Sequence, residues 1–410
     1  MKPENTPSGS HIPTTIAPAV NGWNADYLDS MHLAWKEDAS ALTKEWQDFF
    51  KGFELGTAQE TQSTGNDSIR QGQSRVDSLI YHYRSTGHYA AHLDPLGIAP
   101  RTDSHLELAS FGFDASKLDV RFDPGHIDLP NPSTLRTIVE KLEATYCRHI
   151  GVEYSHIENT EQRRWLQNRM EPTNNDPDFS ESTKKRIFHK LIEATTLEHF
   201  CATRYIGKKR FSLEGSESVI PMMSELIQHA GDNGAKVVTI GMAHRGRINV
   251  LVNILNKTYD QLFTEFEENW VEAYAEGGGD VKYHLGFSAE IQTATDKSMY
   301  VTLASNPSHL EFGHSVVLGK ARAQQRVQHE EDRLLCIPLL IHGDASFPGQ
   351  GIVAEMFNMA HLDGYTVGGT IHFVVNNQIG FTANYKETRS HDCVRSMPRG
   401  SGVYCGWKST

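Results

Sequence analysis

Asp344 and Asn377 stand 33 positions apart in this chain of 410 residues, the first within Gly343-Asp344-Ala345 and the second within Asn376-Asn377-Gln378-Ile379. A carboxylate, an amide oxygen and the backbone carbonyl of Ile379 are hard oxygen donors. That is the set Mg²⁺ takes in octahedral geometry while sharing its remaining positions with phosphate oxygens and water. The loop between Asp344 and Gly351 ends at a helix start, whose free N–H groups suit the same anion. The chemistry such residues could do is the holding of a metal diphosphate. Gly-Asp and Asn-Asn pairs are also ordinary turn residues, so the elements around them must decide.

Those elements are legible. Residues 334–341 form a short apolar run that reads as a buried parallel strand. Ile352, Met356, Phe357, Met359 and Ala360 follow with helical spacing, stopped by Gly364 and Gly368-Gly369. Residues 370–375 are a second β-branched strand that ends at the two asparagines. The whole is one βαβ unit, with Asp344 and Asn377 at the carboxyl ends of strands, the edge where open α/β sheets bind ligands. Two more strand ends carry reactive side chains. Residues 235–243 lead into His244-Arg245-Gly246-Arg247 and an apolar helix over 248–255, and residues 299–304 lead into Ser305–Glu311. Guanidinium groups suit planar, bidentate recognition of carboxylate or phosphate, although a surface ion-pair cluster would look the same. His284 stands after the glycines at 277–279, where a lone histidine is most often a satisfied polar residue.

Taken together, these motifs resemble the thiamine-diphosphate-dependent, decarboxylating first component of 2-oxoglutarate dehydrogenase. The likeness rests on residues 342–351 and 368–381, on Arg204–Gly215, on 235–247, on Tyr283–Phe287 and on Ser305–Glu311. The resemblance implies a thiamine-diphosphate-binding α/β fold, a mostly parallel sheet flanked by helices behind a helical N-terminal region. It implies Asp344, Asn377 and the Ile379 carbonyl as Mg²⁺ ligands, with Ala345 and Ser346 beside them on the cofactor. Ser308, His309 and Leu310 line the cofactor pocket, Arg245 serves cofactor and substrate, and His244 and His284 face the 2-oxo acid. The implied reaction is oxidative decarboxylation of 2-oxoglutarate in the tricarboxylic acid cycle, with succinyl transfer to a lipoyl arm. The implied partners are the dihydrolipoyl succinyltransferase and dihydrolipoyl dehydrogenase components, with a homodimer in the full-length enzyme. A dehydrogenase for 2-oxoadipate is the related alternative, because one extra methylene changes binding by only about 1–3 kcal/mol. A non-catalytic fragment that only binds the complex core is the alternative of another class.

Composition agrees with a globular enzyme. The chain is 38% hydrophobic with a formal net charge of −12, which disfavours nucleic acid even beside the basic residues Lys208-Lys209-Arg210. No apolar stretch approaches the length of a membrane span, and the start shows neither a signal core nor an Arg-rich presequence. The expected setting is therefore the bacterial cytoplasm. Cys147, Cys201, Cys336, Cys393 and Cys405 show no Cys-x-x-Cys spacing, so neither disulfides nor a zinc site are expected.

The organisation expected along the chain is uneven. Residues 1–22 read as disordered and 23–54 as two aromatic-rich helices, with apolar positions from Tyr27 to Trp35 and from Leu42 to Phe53, that either fold back on the main body or, as the resemblance implies, dock the acyltransferase core. Residues 55–75 read as a flexible linker. A helical domain follows over 76–200, with helices at Val76 to Leu93, Ser133 to Ile150 and Thr183 to Phe200, and then the α/β domain over 201–390. Residues 391–410 have no helical or strand period and depart from the family pattern. A frameshift with early termination is the expected cause, leaving this form inactive.

Overall fold

The computed structural model describes residues 66–93, 106–267, 284–329 and 333–388, the strand 402–408, and single positions between 32 and 51. The expected disorder over 1–22 and most of the docking helices lie outside these residues. Two compact units divide at Asp77 and Ser78. Within the first, the rings of His32, Trp35, Trp46 and Phe50 stack at centroid distances of 5.0–6.0 Å, with Phe50 buried. The apolar positions of the two expected helices therefore share one aromatic cluster.

Helix α1 (Asn66–Thr86) begins at Asn66 and not at Val76, so half of the expected linker is helical. The stretch is polar, but Gln and Arg are good helix formers, and a helix nucleated on Leu79, Ile80 and Tyr83 propagates backward at little cost. Helix α2 (Leu135–Tyr146) starts where the Thr134 hydroxyl accepts the Thr137 N–H, and it buries Leu135, Ile138, Leu142 and Tyr146. Helix α3 (Thr160–Met170) has so few apolar positions that its period is invisible. Asn159 nevertheless caps it, accepting from Glu161 N at 2.9 Å and Gln162 N at 3.1 Å. The Tyr146 hydroxyl and the Arg84 guanidinium both donate to Glu171, which locks α3 onto α1 and α2.

The boundary expected near residue 200 falls inside a helix, α4 (Glu181–Arg204). Ala194, Leu197 and Cys201 on its inner face pack against the helices that cover the sheet, so the helical and α/β parts share this element. Beyond it α5 (Val219–Asp232) lies on one face of a six-stranded sheet. The strands are β1 (Val237–Met242), β2 (Phe287–Gln292), β3 (Ser298–Leu303), β4 (Cys336–Gly343), β5 (Thr370–Asn376) and β6 (Gly402–Lys408). Their spatial order is β6-β5-β4-β1-β3-β2, all parallel except for the antiparallel edge strand β2.

All six residues of β1 are buried, because helices cover both faces of the sheet. Each Val, Ile or Leu so buried contributes about 1.5–3 kcal/mol of transfer free energy. The mostly parallel α/β sheet is the architecture expected. The segment after 390 is where expectation and structure part. Residues 391–410 carry no alternation, yet Gly402–Lys408 pairs in parallel with Thr370–Asn376. A parallel strand pairs with β5 through its backbone and needs no period-two pattern to do so, only β-forming residues such as Val403, Tyr404 and Trp407.

Candidate functional site

The chain leaves β1 toward β3 on one side, whereas from β4 it moves to β5 on the other. Adjacent strands whose connections run in opposite directions open a crevice at their carboxyl ends. The turn after β1 carries His244, Arg245 and Arg247, and the turn after β4 carries Asp344, Ala345 and Ser346. Met242 lies opposite Ile341 in the shared register, so the two turns leave the sheet side by side.

Asp344 is 1% exposed. Gly343 pairs with Val375, which places the chain immediately after β4 beside the asparagines that end β5. There the Asn377 side-chain oxygen accepts the Ile379 N–H at 3.2 Å and the Asn376 oxygen accepts the Gln378 N–H at 3.2 Å, with Gln378 in the left-handed region. These two turns fold Ile379-Gly380 back into a short hairpin with Ala383-Asn384. A Cβ on Gly380 would sit 2.8 Å from the Ala345 Cβ, so glycine is what lets the hairpin close against the Asp344 loop. Asp344, Asn377 and Ile379 are thus brought to one edge. The donor chemistry fits a hard divalent cation: a buried carboxylate, an amide oxygen that keeps a second lone pair, and a neighbouring main-chain carbonyl, with no sulfur.

His244 and His284 come together, Nε2 to Nε2 at 3.0 Å. One ring must carry the proton and the other present its lone pair. Burial first, then the nearby His284, Arg247 and Lys209, hold His244 down to about 4, so it is a neutral imidazole at neutral pH. Such a pair can accept or release a proton toward a bound anion without first losing charge. Phe211 covers His244 at a centroid distance of 5.1 Å, and Lys209 lies 4.8 Å over Phe211. The basic run is therefore a wall of this site.

Three placements were not foreseen. Arg245 Nη1 donates to the Ser212 carbonyl at 3.2 Å, so part of that guanidinium holds the Phe211 loop. Ser308 and His309 are exposed and Leu310 is half-buried on the loop between β3 and α8 (Phe312–Val327), the helix that follows α6 (Arg247–Asn253) and α7 (Tyr259–Glu267) in the chain. The second guanidinium of the motif, Arg247, is 0% exposed. It lies on α6 (Arg247–Asn253) and donates to the carbonyls of Met242 at 3.3 Å, His284 at 3.4 Å, Leu285 at 2.8 and 3.2 Å, and also Ala304. One side chain thereby ties the ends of β1 and β3 to the His284 loop. Gly286 completes that junction, since a Cβ there would meet the Leu303 carbonyl oxygen at 2.8 Å and the Ser305 nitrogen at 2.9 Å.

A second buried cluster lies behind Asp344. Glu311 Oε2 accepts from His314 Nδ1 and His342 Nδ1, each at 2.6 Å, and His342 Nε2 meets His372 Nδ1 at 2.9 Å. Burial opposes ionisation of Glu311, but the two imidazole donors outweigh it and keep its carboxyl well below the usual range. Burial holds His342 down to about 4 and His372 to about 3. Both are below the ordinary 6.5, so these imidazoles are neutral in the fold while the unfolded chain binds protons below pH 6.5. Their contribution to stability is full above that pH and is lost as pH falls toward the folded values. At about 1.4 kcal/mol per pKa unit the loss amounts to a few kcal/mol. The melting temperature should therefore fall steadily from pH 6.5 to 4, with a shallower slope in His372→Phe. Equal slopes would show that His372 titrates freely.

Residues 189–405 match the model of the dehydrogenase E1 component family, and residues 17–57 match the 2-oxoglutarate dehydrogenase N-terminus. The first match runs past residue 390 to residue 405, into the segment expected to depart from the family pattern. The chain is 40% identical over 400 residues to the 2-oxoglutarate dehydrogenase E1 component of Azotobacter vinelandii, covering 90% of this chain and 42% of that protein. It is 43% identical over 390 residues to the multifunctional 2-oxoglutarate metabolism enzyme of Mycolicibacterium vanbaalenii, covering 93% of this chain and 31% of that protein. The chain thus spans less than half the length of these relatives.

Proposed function

The chain belongs to the dehydrogenase E1 component family, and on that premise we propose that it is the diphosphate- and metal-binding part of a thiamine-diphosphate-dependent 2-oxoglutarate dehydrogenase. The observation that carries this reading is the convergence of buried Asp344 with the Asn377–Gly380 turn, beside the His244–His284 pair at one sheet edge. Asp344, Asn377 and the Ile379 carbonyl would hold Mg²⁺, and Ala345 and Ser346 would flank the diphosphate with their main chain, the Ser346 hydroxyl being engaged by Glu311. Ser308, His309 and Leu310 would contact the rest of the cofactor. When bound, thiamine diphosphate supplies an electron sink for decarboxylation of a 2-oxo acid.

This chain's own groups have narrower tasks. His244 and His284 hold one proton between them and offer it where negative charge gathers on the substrate. The free edge of the Arg245 guanidinium faces the carboxylate or phosphate that enters beside His244. The aromatic N-terminal cluster would dock the succinyltransferase core, with the dihydrolipoyl dehydrogenase component and a second E1 copy completing the assembly, in the bacterial cytoplasm. Among the described residues no helix is long and apolar enough to cross a membrane. Calorimetry tests the reading: thiamine diphosphate should bind the purified chain with Mg²⁺ present and fail to bind in EDTA. Binding indifferent to the metal would remove it.

A further inference from the structure

Glu311 is the last residue of the loop that carries Ser308–Leu310 and the N-cap of α8, and its backbone stands at φ 72. A non-glycine residue in the left-handed region costs on the order of 1 kcal/mol and persists only where its surroundings over-determine it. Its side chain is 0% exposed and fully engaged. Oε2 accepts from His342 Nδ1 and His314 Nδ1 at 2.6 Å, and Oε1 accepts from Ser346 Oγ at 2.5 Å.

The partners matter by position. His342 stands two residues before Asp344 and Ser346 two residues after it. The same carboxylate therefore grips the chain on both sides of Asp344, while its own backbone ends the Ser308–Leu310 loop. Ionised Glu311 fixes every proton in the cluster. His342 must donate from Nδ1, so its Nε2 accepts from His372 Nδ1–H on β5, the strand that delivers Asn376 and Asn377.

Glu311, His314 and His342 also bring three metal-ligating atoms within 4.8 Å of one another. However, 2.6 Å is a hydrogen-bond separation, and donors already fill the carboxylate. The cluster is a protonic clamp.

We propose that Glu311 is a positioning residue for the Asp344 site: by clamping His342 and Ser346 to the end of the Ser308–Leu310 loop, its charge sets the affinity of that edge for Mg²⁺ and a diphosphate. The proposal rests on the function proposed above. Groups that orient a metal ligand from behind typically change metal affinity by about 10–100-fold when removed.

The test measures Mg²⁺-dependent thiamine diphosphate binding by calorimetry on the full chain and on four variants. Glu311→Gln keeps the shape but puts an amide N–H against groups that must donate, and should weaken binding by about 10–100-fold. Glu311→Asp should recover part of the loss. Should Glu311→Gln not fold, Ser346→Ala and His314→Gln decide. Ser346→Ala cuts one bracket of Asp344 and should weaken binding several-fold. His314→Gln removes a partner on α8 away from that bracket and should stay within about twofold of the parent, whereas a merely structural role would make the two equal. Unchanged affinity in Glu311→Gln, or equal effects of Ser346→Ala and His314→Gln, would overturn the clamp alone. Failure of the parent chain to bind would overturn the proposed function, and the clamp with it.

Discussion

Replacing Asp344 by Ala should raise the dissociation constant for thiamine diphosphate in the presence of Mg²⁺ by at least about 100-fold, while leaving the chain folded. Asp344 would supply the one formal negative charge among the three proposed protein ligands, the others being an amide and a backbone carbonyl. A hard cation bridging protein and diphosphate depends on that charge, and losing a factor of about 100 corresponds to about 2.7 kcal/mol. The residue is nearly inaccessible, and a buried carboxylate is a costly group to keep in a core. Asn377→Ala should weaken binding less, because its oxygen already accepts the Ile379 N–H and its loss loosens a turn rather than deleting a charge. Calorimetric titrations at saturating Mg²⁺ give both numbers. Tight binding in Asp344→Ala would mean the cation sits elsewhere.

Replacing Arg247 by Met should be the more damaging change to the protein as a whole, with an expected loss of at least about 3 kcal/mol of stability. Its guanidinium donates to the carbonyls of Met242, His284, Leu285 and Ala304, and methionine fills much the same volume while donating to none. Hydrogen bonds from a charged donor contribute about 1.5–3 kcal/mol each, and the buried carbonyls left behind carry a desolvation cost of their own. Arg247→Lys should not rescue it, since a single ammonium cannot span the four acceptors and pays heavily for burial. Chemical denaturation measures the loss. The imidazole signals of His244 and His284 report the local consequence: without Arg247 the 3.0 Å contact between the two rings should be lost. A variant that kept wild-type stability and a coupled pair would show that the neighbouring loops hold themselves.

The strands and their ends were legible because each is short, apolar and followed by chemistry-bearing residues. Asp344, Asn377 and His244 stand at strand ends as the pattern of strand and turn predicts, and sequence pattern alone located the βαβ unit. Arg247 was misread because its type suggests a ligand for anions, and only burial on α6 shows that it feeds carbonyls of its own chain. Glu311 was passed over because a glutamate before a helix is an ordinary cap. Nothing local signals that His342 and Ser346, more than thirty residues later, return to it. Helix α3 and the first turns of α1 were missed for lack of apolar period, and β6 because its residues show no period-two alternation.

The pairing of β1 with β4 joins residues 237–242 to 336–341 directly, and every strand end that contributes to the site belongs to one of the central parallel strands. Closing that ladder closes a loop of almost a hundred residues, an entropic cost met only once distant contacts form. The crevice is therefore among the last features a refolding molecule acquires. No fragment of the sheet can present it. Occupancy by ligand then counts native molecules rather than partly ordered ones, and at a hundredfold excess over the dissociation constant it would deepen the native basin by about 2.7 kcal/mol.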